Sequence, residues 1–111
     1  MLIKSVAWVG DSRDRVKELP DEARGRVGFE LWEVQQGNEP ADWKPMPSIG
    51  LGVNEIRIRA DGAFRVIYVA KFTEAVYVLH VFQKKARKTP PADIELARIR
   101  YRAMLKERKQ G

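Results

Sequence analysis

The most constraining stretch of this chain runs from Val53 to Phe82, where three apolar-rich segments are separated by two short turns. Val53 to Arg59 sets Ile56 and Ile58 against Glu55, Arg57 and Arg59, a period of two that predicts one strand face in a core and one in water. Ala60-Asp61-Gly62-Ala63 supplies an Asp-Gly hairpin turn and Phe64 to Ala70 returns. Lys71-Phe72-Thr73-Glu74 turns again, and Ala75 to Phe82 completes an antiparallel β-meander. A chain whose centre is a meander must cover at least one sheet face with other elements.

The flanks provide that cover. Leu2 to Trp8 is apolar and partly β-branched and ends at Gly10-Asp11, which predicts a short first strand and a turn. Asp11 or Ser12 is placed to cap a helix running to Leu19; Pro20 breaks it, and Asp21-Glu22 open a second helix with acids at its N-terminal end. Ala23, Val27, Leu31 and Val34 recur at helical spacing up to Gly37, so the two segments predict a helical hairpin. Gly25 and Gly28 weaken its first half by about 1 kcal/mol each relative to Ala. Glu39 to Gly52, with Pro40, Pro45, Pro47, Gly50 and Gly52, reads as an irregular connector pinned by Trp43 and Met46. Beyond Phe82, Thr89 is the expected cap of a helix that Pro90-Pro91 suit. Its apolar stripe is Ile94, Ala97, Tyr101 and Met104 or Leu105, with Arg98, Arg102, Lys106 and Lys109 mainly off it. At 111 residues, 44% of them hydrophobic, the chain is expected to form one α+β domain over residues 1–111. Its parts are an N-terminal strand and helical hairpin, the β-meander, and an amphipathic C-terminal helix.

Composition narrows the chemistry. The absence of cysteine excludes disulfides, thiolate zinc sites and a Cys nucleophile, and it suits a reducing, cytoplasmic setting. His80 is the one histidine and the acids show no calcium- or magnesium-loop spacing, so neither a metal nor a cofactor is expected. Met1 to Trp8 is too short, and too soon followed by charges, for a signal peptide or membrane span, and no membrane association is expected. The net charge of +6 is unevenly spread: eleven Lys/Arg stand against twelve Asp/Glu before Gln83, and ten against three from Gln83 onward. From charge alone, a polyanion-binding surface and a solvated basic helix are both open.

Such a chain can still cleave RNA, because the substrate brings its own nucleophile in the 2′-hydroxyl. The protein must take that proton, stabilise the charge gathering on the phosphate, and protonate the departing 5′ oxygen. A guanidinium clamps phosphate bidentately, and a lysine crowded by other cations has its pKa lowered toward a range useful for proton transfer. Arg57, Arg59, Arg65 and the Lys84/Lys85 pair belong to consecutive strands or their exits, so strand pairing brings them near one another. Period-two alternation does not by itself put Arg65 on the face bearing Arg57. An arginine inside an apolar strand calls either for a phosphate or for a structural partner, and Glu55 is the candidate partner for Arg65.

The stretches Asn54-Glu55-Ile56-Arg57-Ile58-Arg59, Phe64-Arg65-Val66-Ile67-Tyr68 and Leu79-His80-Val81-Phe82-Gln83-Lys84-Lys85 resemble the HigB-like, phage-associated branch of the RelE/ParE toxin superfamily. Lys88-Thr89-Pro90 and the helix from Asp93 to Lys106 continue the resemblance. It implies a RelE-like fold, type II toxin–antitoxin biology and mRNA cleavage on the ribosome. The partners it implies are mRNA, the ribosome with its rRNA, and a HigA-type helix-turn-helix antitoxin. Carried over by position, Arg65 resembles the central-strand arginine that contacts the scissile phosphate, and Arg57 takes the place of a functional strand lysine. Lys84 and Lys85 fall where the superfamily places further basic catalytic groups. His80 matches a Leu-His-x-Phe pattern and joins them as a candidate catalytic residue, with a hydrogen-bonded structural role as its other reading. Arg57, Arg59, Arg87, Lys88 and Tyr68 are expected to hold RNA, Tyr68 by stacking on a base, with packing in the core as its other reading. No tyrosine between Arg87 and Ile99 matches the stacking tyrosine of RelE itself, so the base and the acid stay unassigned. A ParE-like gyrase poison and a non-enzymatic nucleic-acid-binding module are the rival readings of the same residues.

Overall fold

In this computed structural model, which describes residues 2–110, the chain begins with β1 (Ser5–Trp8), α1 (Ser12–Lys17) and α2 (Asp21–Gln35). It continues through β2 (Trp43–Pro45), β3 (Val53–Arg59), β4 (Ala63–Val69), β5 (Ala75–Gln83) and α3 (Pro91–Gln110). The expected meander is present, its first turn made by Asp61 at φ 52° and Gly62 at φ 128°. Those left-handed angles are tolerated by Asp and natural to Gly.

The five strands form one sheet in the order β1-β5-β4-β3-β2. β2 lies inside the stretch expected to be an irregular connector; Pro45 fits there because an edge strand has no need of its missing N–H. β1 begins at Ser5 rather than Leu2 and runs parallel to β5, from Ser5 opposite Ala75 to Trp8 opposite Val78. The helical hairpin between them makes this parallel return possible.

Both faces of the sheet are covered. Ala23, Val27, Leu31 and Val34 of α2 pack on Ile56, Ile58, Val66, Tyr68, Val76, Val78 and Val81. Ala97, Tyr101 and Met104 of α3 pack on Val53, Ile67, Val69, Leu79 and Phe82, with Met46 and Ile49 of the connector closing the end. The wet face expected of β3 is therefore corrected at Glu55, whose side chain has no exposure at all. Among the described residues no helix is long and apolar enough to cross a membrane.

Three capping expectations are corrected. Asp11 stands at the N-cap of α1 but makes no capping bond, its carboxylate being held by Arg15 and Arg100. Ser12 donates its hydroxyl to the Val78 carbonyl at 3.0 Å. Thr89 does not cap α3, because its hydroxyl is committed to Glu55.

Arg100 ties three elements together: its guanidinium donates to the Leu79 carbonyl at 3.0 Å and to Asp11 at 2.7 Å. Gly10, at φ +59°, permits this, since a β-carbon there would sit 2.6 Å from the guanidinium. Gly50 plays the same part for Tyr101, whose hydroxyl donates to the Leu51 carbonyl at 2.8 Å. A β-carbon at Gly50 would overlap the ring, and the connector, the sheet and α3 leave it little room to withdraw. Gly50→Ala is expected to cost about 1–3 kcal/mol by overpacking, read as a lowered urea midpoint with an unchanged m value.

Candidate functional site

Strand register decides which cations meet. Arg57 and Arg65 are direct partners across β3 and β4, so they share one face. On β5 the register slips between Ile67 and Tyr68: Ile67 faces His80 while Tyr68 faces Val78. Leu79 is the extra residue of a bulge, and beyond it Phe82 stands opposite Arg65. The α3 face thus carries Glu55, Arg57, Arg65, His80 and Phe82.

Two arginines directly opposite each other repel, and Glu55 compensates them. Its Oε1 lies 3.5 Å from Arg65 Nε and 4.0 Å from both Arg57 Nε and Lys44 Nζ. Its Oε2 accepts the Thr89 hydroxyl at 2.8 Å. Glu55 Oε1, Arg57 Nε and Arg65 Nε are all buried without a hydrogen-bond partner, so the cluster is held by charge across a gap and its Nε–H donors are unspent. Arg65, 3% exposed, is further oriented by its Nη1 donating to the Phe64 carbonyl at 3.0 Å. Burial lowers the Arg65 pKa, with Glu55 opposing that shift and Arg57 adding to it; a guanidinium stays charged regardless.

Above this cluster opens a cleft of about 720 Å³ lined by Arg57, Arg59, Gly62, Ala63, Arg65, Lys84, Lys85, Ala86 and Arg87. Six of the nine residues singled out from the sequence line it, and no acid does. The strand exit is fixed by the Lys84 N–H donating to the Ala63 carbonyl at 2.8 Å. Loss of water first, and then the charge of Arg65, holds the Lys84 ammonium below its ordinary pKa, against the opposing pull of Glu55. A concave surface of one sign with low-dielectric walls concentrates anions, and these side chains present the donors a phosphodiester needs. Among the described residues no group of three His, Asp or Glu side chains is gathered for a metal.

The other three residues lie elsewhere. Lys88 is exposed on the loop but does not line the cleft. Tyr68 is corrected from an RNA-stacking residue to a core residue: it is 3% exposed among the α2-facing side chains, and burial pushes its hydroxyl up to about 12. His80 is 2% exposed, stacks on Phe82 at 5.0 Å and meets Asp93 through Nε2 at 2.7 Å, outside the cleft lining. An Arg100 nitrogen stands 3.5 Å from its Nδ1, which fits a neutral ring with the proton on Nε2.

Lys44 and Thr89 are the members of the site that sequence reasoning did not place in it, whereas Glu55 stands 3.5 Å from Arg65, the partner it was expected to take. The i, i+2 spacing of Glu55 and Arg57 already sets them on one face; that Thr89 would bond Glu55 from a distant loop has no local signature. The basic C-terminal quarter is also partly spent on structure. Arg98 holds the Ser48 carbonyl at 2.7 Å, Arg100 holds Asp11, and Arg108 pairs with Glu74 at 2.5 Å while covering the Phe72 ring at 3.6 Å.

Compared with known families, residues 14–102 match the family described as Phage derived protein Gp49-like (DUF891). No curated protein matches the chain.

The buried histidine makes a pH prediction. Burial lowers its pKa from 6.5, with Asp93 opposing the shift, so the unfolded chain takes up the proton more readily than the folded one. Its contribution to stability is complete above pH 6.5 and is lost as pH falls below 6.5 toward the folded value. Urea midpoints measured between neutrality and about pH 5.5 are expected to fall for the wild type and to lose that slope in His80→Gln.

Proposed function

The chain belongs to the phage-derived Gp49-like family, and from that membership and the cleft we propose that it is the toxin of a type II toxin–antitoxin pair, a metal-independent endoribonuclease that cuts mRNA on the ribosome. The observation that carries the reading is the cleft itself: five basic side chains and the edge of a sixth, Arg65, face one space with no acid on its walls. Its partners in this reading are mRNA, rRNA and a HigA-type helix-turn-helix antitoxin, and its place of action is the cytoplasm, in the HigB-like manner.

In the proposed step the 2′-oxygen attacks the adjacent phosphorus, the bond from phosphorus to the 5′ oxygen breaks, and a 2′,3′-cyclic phosphate remains. Arg57 and Arg65 carry the charge that builds on the phosphate oxygens. Lys84 in its neutral form takes the 2′ proton, and Lys85 gives a proton to the leaving 5′ oxygen. The lowered Lys84 pKa supports its role as base, because it raises the neutral fraction at neutral pH. Arg59 and Arg87 hold the backbone on either side, and His80 takes no part.

The near-complete burial of Arg65 favours one second reading, a binding module that grips a nucleic-acid backbone without cutting it. Reconstituted ribosomes programmed with a defined mRNA separate the two. Wild-type protein is expected to give cuts with cyclic-phosphate ends, reduced on the order of 100-fold or more in Arg65→Ala, and reduced in Lys84→Gln with loss of the rise in rate with pH. Salt-sensitive RNA binding without product would establish the binding module, and growth arrest with intact mRNA would point to a gyrase-type inhibitor.

A further inference from the structure

The loop from Lys84 to Lys88 carries three of the cleft's basic side chains and is stapled at both ends. One staple is the Lys84 N–H on Ala63; the other is the Thr89 hydroxyl on Glu55. Glu55 is fully buried and so does not touch a substrate, yet it faces the two cleft arginines, Lys44 and the residue that ends the basic loop. Its charge works against phosphate affinity, since it lowers the positive potential of the cleft above it. A carboxylate that opposes ligand binding and is buried at a desolvation cost must serve geometry instead.

We infer that Glu55, latched by Thr89, is a positioning residue that sets Arg57 and Arg65 against each other at a fixed separation and holds the basic loop over them. The long ion-pair distances are part of the device. A close bidentate pair would consume the guanidinium donors, whereas separations of 3.5 and 4.0 Å restrain each arginine by charge and leave its Nε–H unspent. Thr89 is as necessary as the carboxylate, because it fixes the rotamer of Glu55 from the loop side. In catalytic terms the inference rests on the nuclease reading. In geometric terms it stands alone.

The test pairs an activity-independent readout with turnover. In ¹⁵N spectra the Nε–H groups of Arg57 and Arg65 are expected as discrete resonances in the wild type that shift on titration with inorganic phosphate. Glu55→Gln and Thr89→Val are expected to broaden or merge them, and Thr89→Ser to keep them. On programmed ribosomes the first two variants should cut about 10- to 100-fold more slowly while binding a cleavage-resistant 2′-deoxy-substituted oligonucleotide no more weakly than the wild type; Thr89→Ser should restore the rate. Thr89→Val preserves shape and charge, so the inference remains testable if Glu55→Gln does not fold. Unchanged resonances and turnover in Thr89→Val, or binding and turnover falling together in folded variants, would overturn it. A wild type that shows the resonances and binds RNA without cutting it would sink the nuclease reading alone, leaving the resonances to judge Glu55.

Discussion

Arg57 and Arg65 face each other across neighbouring strands in the middle of a buried sheet, a pairing that repels unless an anion stands within reach. Glu55 is that anion, and much of the architecture can be traced from it. It links β3 to β4 through Arg65, to β2 through Lys44 and to the approach of α3 through Thr89. A helix laid over this face with only apolar contacts would leave the guanidiniums stranded. The carboxylate lets the sheet be covered at one end by α3 and left open at the other, where the basic cleft lies.

The distribution of positive charge carries a related lesson. The C-terminal quarter holds the whole positive excess, yet its cations divide by task. Arg98, Arg100 and Arg108 hold α3 against the connector, the α1 turn and the β5 approach. Lys84, Lys85 and Arg87 face the cleft. Net charge therefore overstates the cationic surface gathered in the cleft, to which the loop before α3 contributes side chains and the helix does not.

Much of this was legible in the sequence, for identifiable reasons. The meander, the hairpin and α3 follow from local period, turn chemistry and helix breakers, and those signals are carried by neighbouring residues. The convergence of Arg57, Arg65 and Lys84 follows from strand succession. His80 was harder, because alternation gives parity only until a bulge resets it: the slip at Leu79 turns His80 toward α3, whereas Tyr68 faces α2 with Phe64 and Val66 by the regular alternation of β4. The burial of Glu55 and the parallel placement of β1 depend on partners far along the chain, and no window of ten or twenty residues contains them.

That parallel placement has a consequence for how the molecule comes into being. Ser5 pairs with Ala75, so the first strand is synthesised long before the strand it joins, and closing so large a loop costs entropy that no earlier contact repays. Thr89, which completes the surroundings of Glu55, is made later still. A chain emerging from its N-terminus can assemble the helical hairpin early, but it has neither a seated first strand before β5 is made nor a finished cleft before Thr89 is made. The cell that makes this protein therefore meets the formed cleft only after Thr89 has left the ribosome.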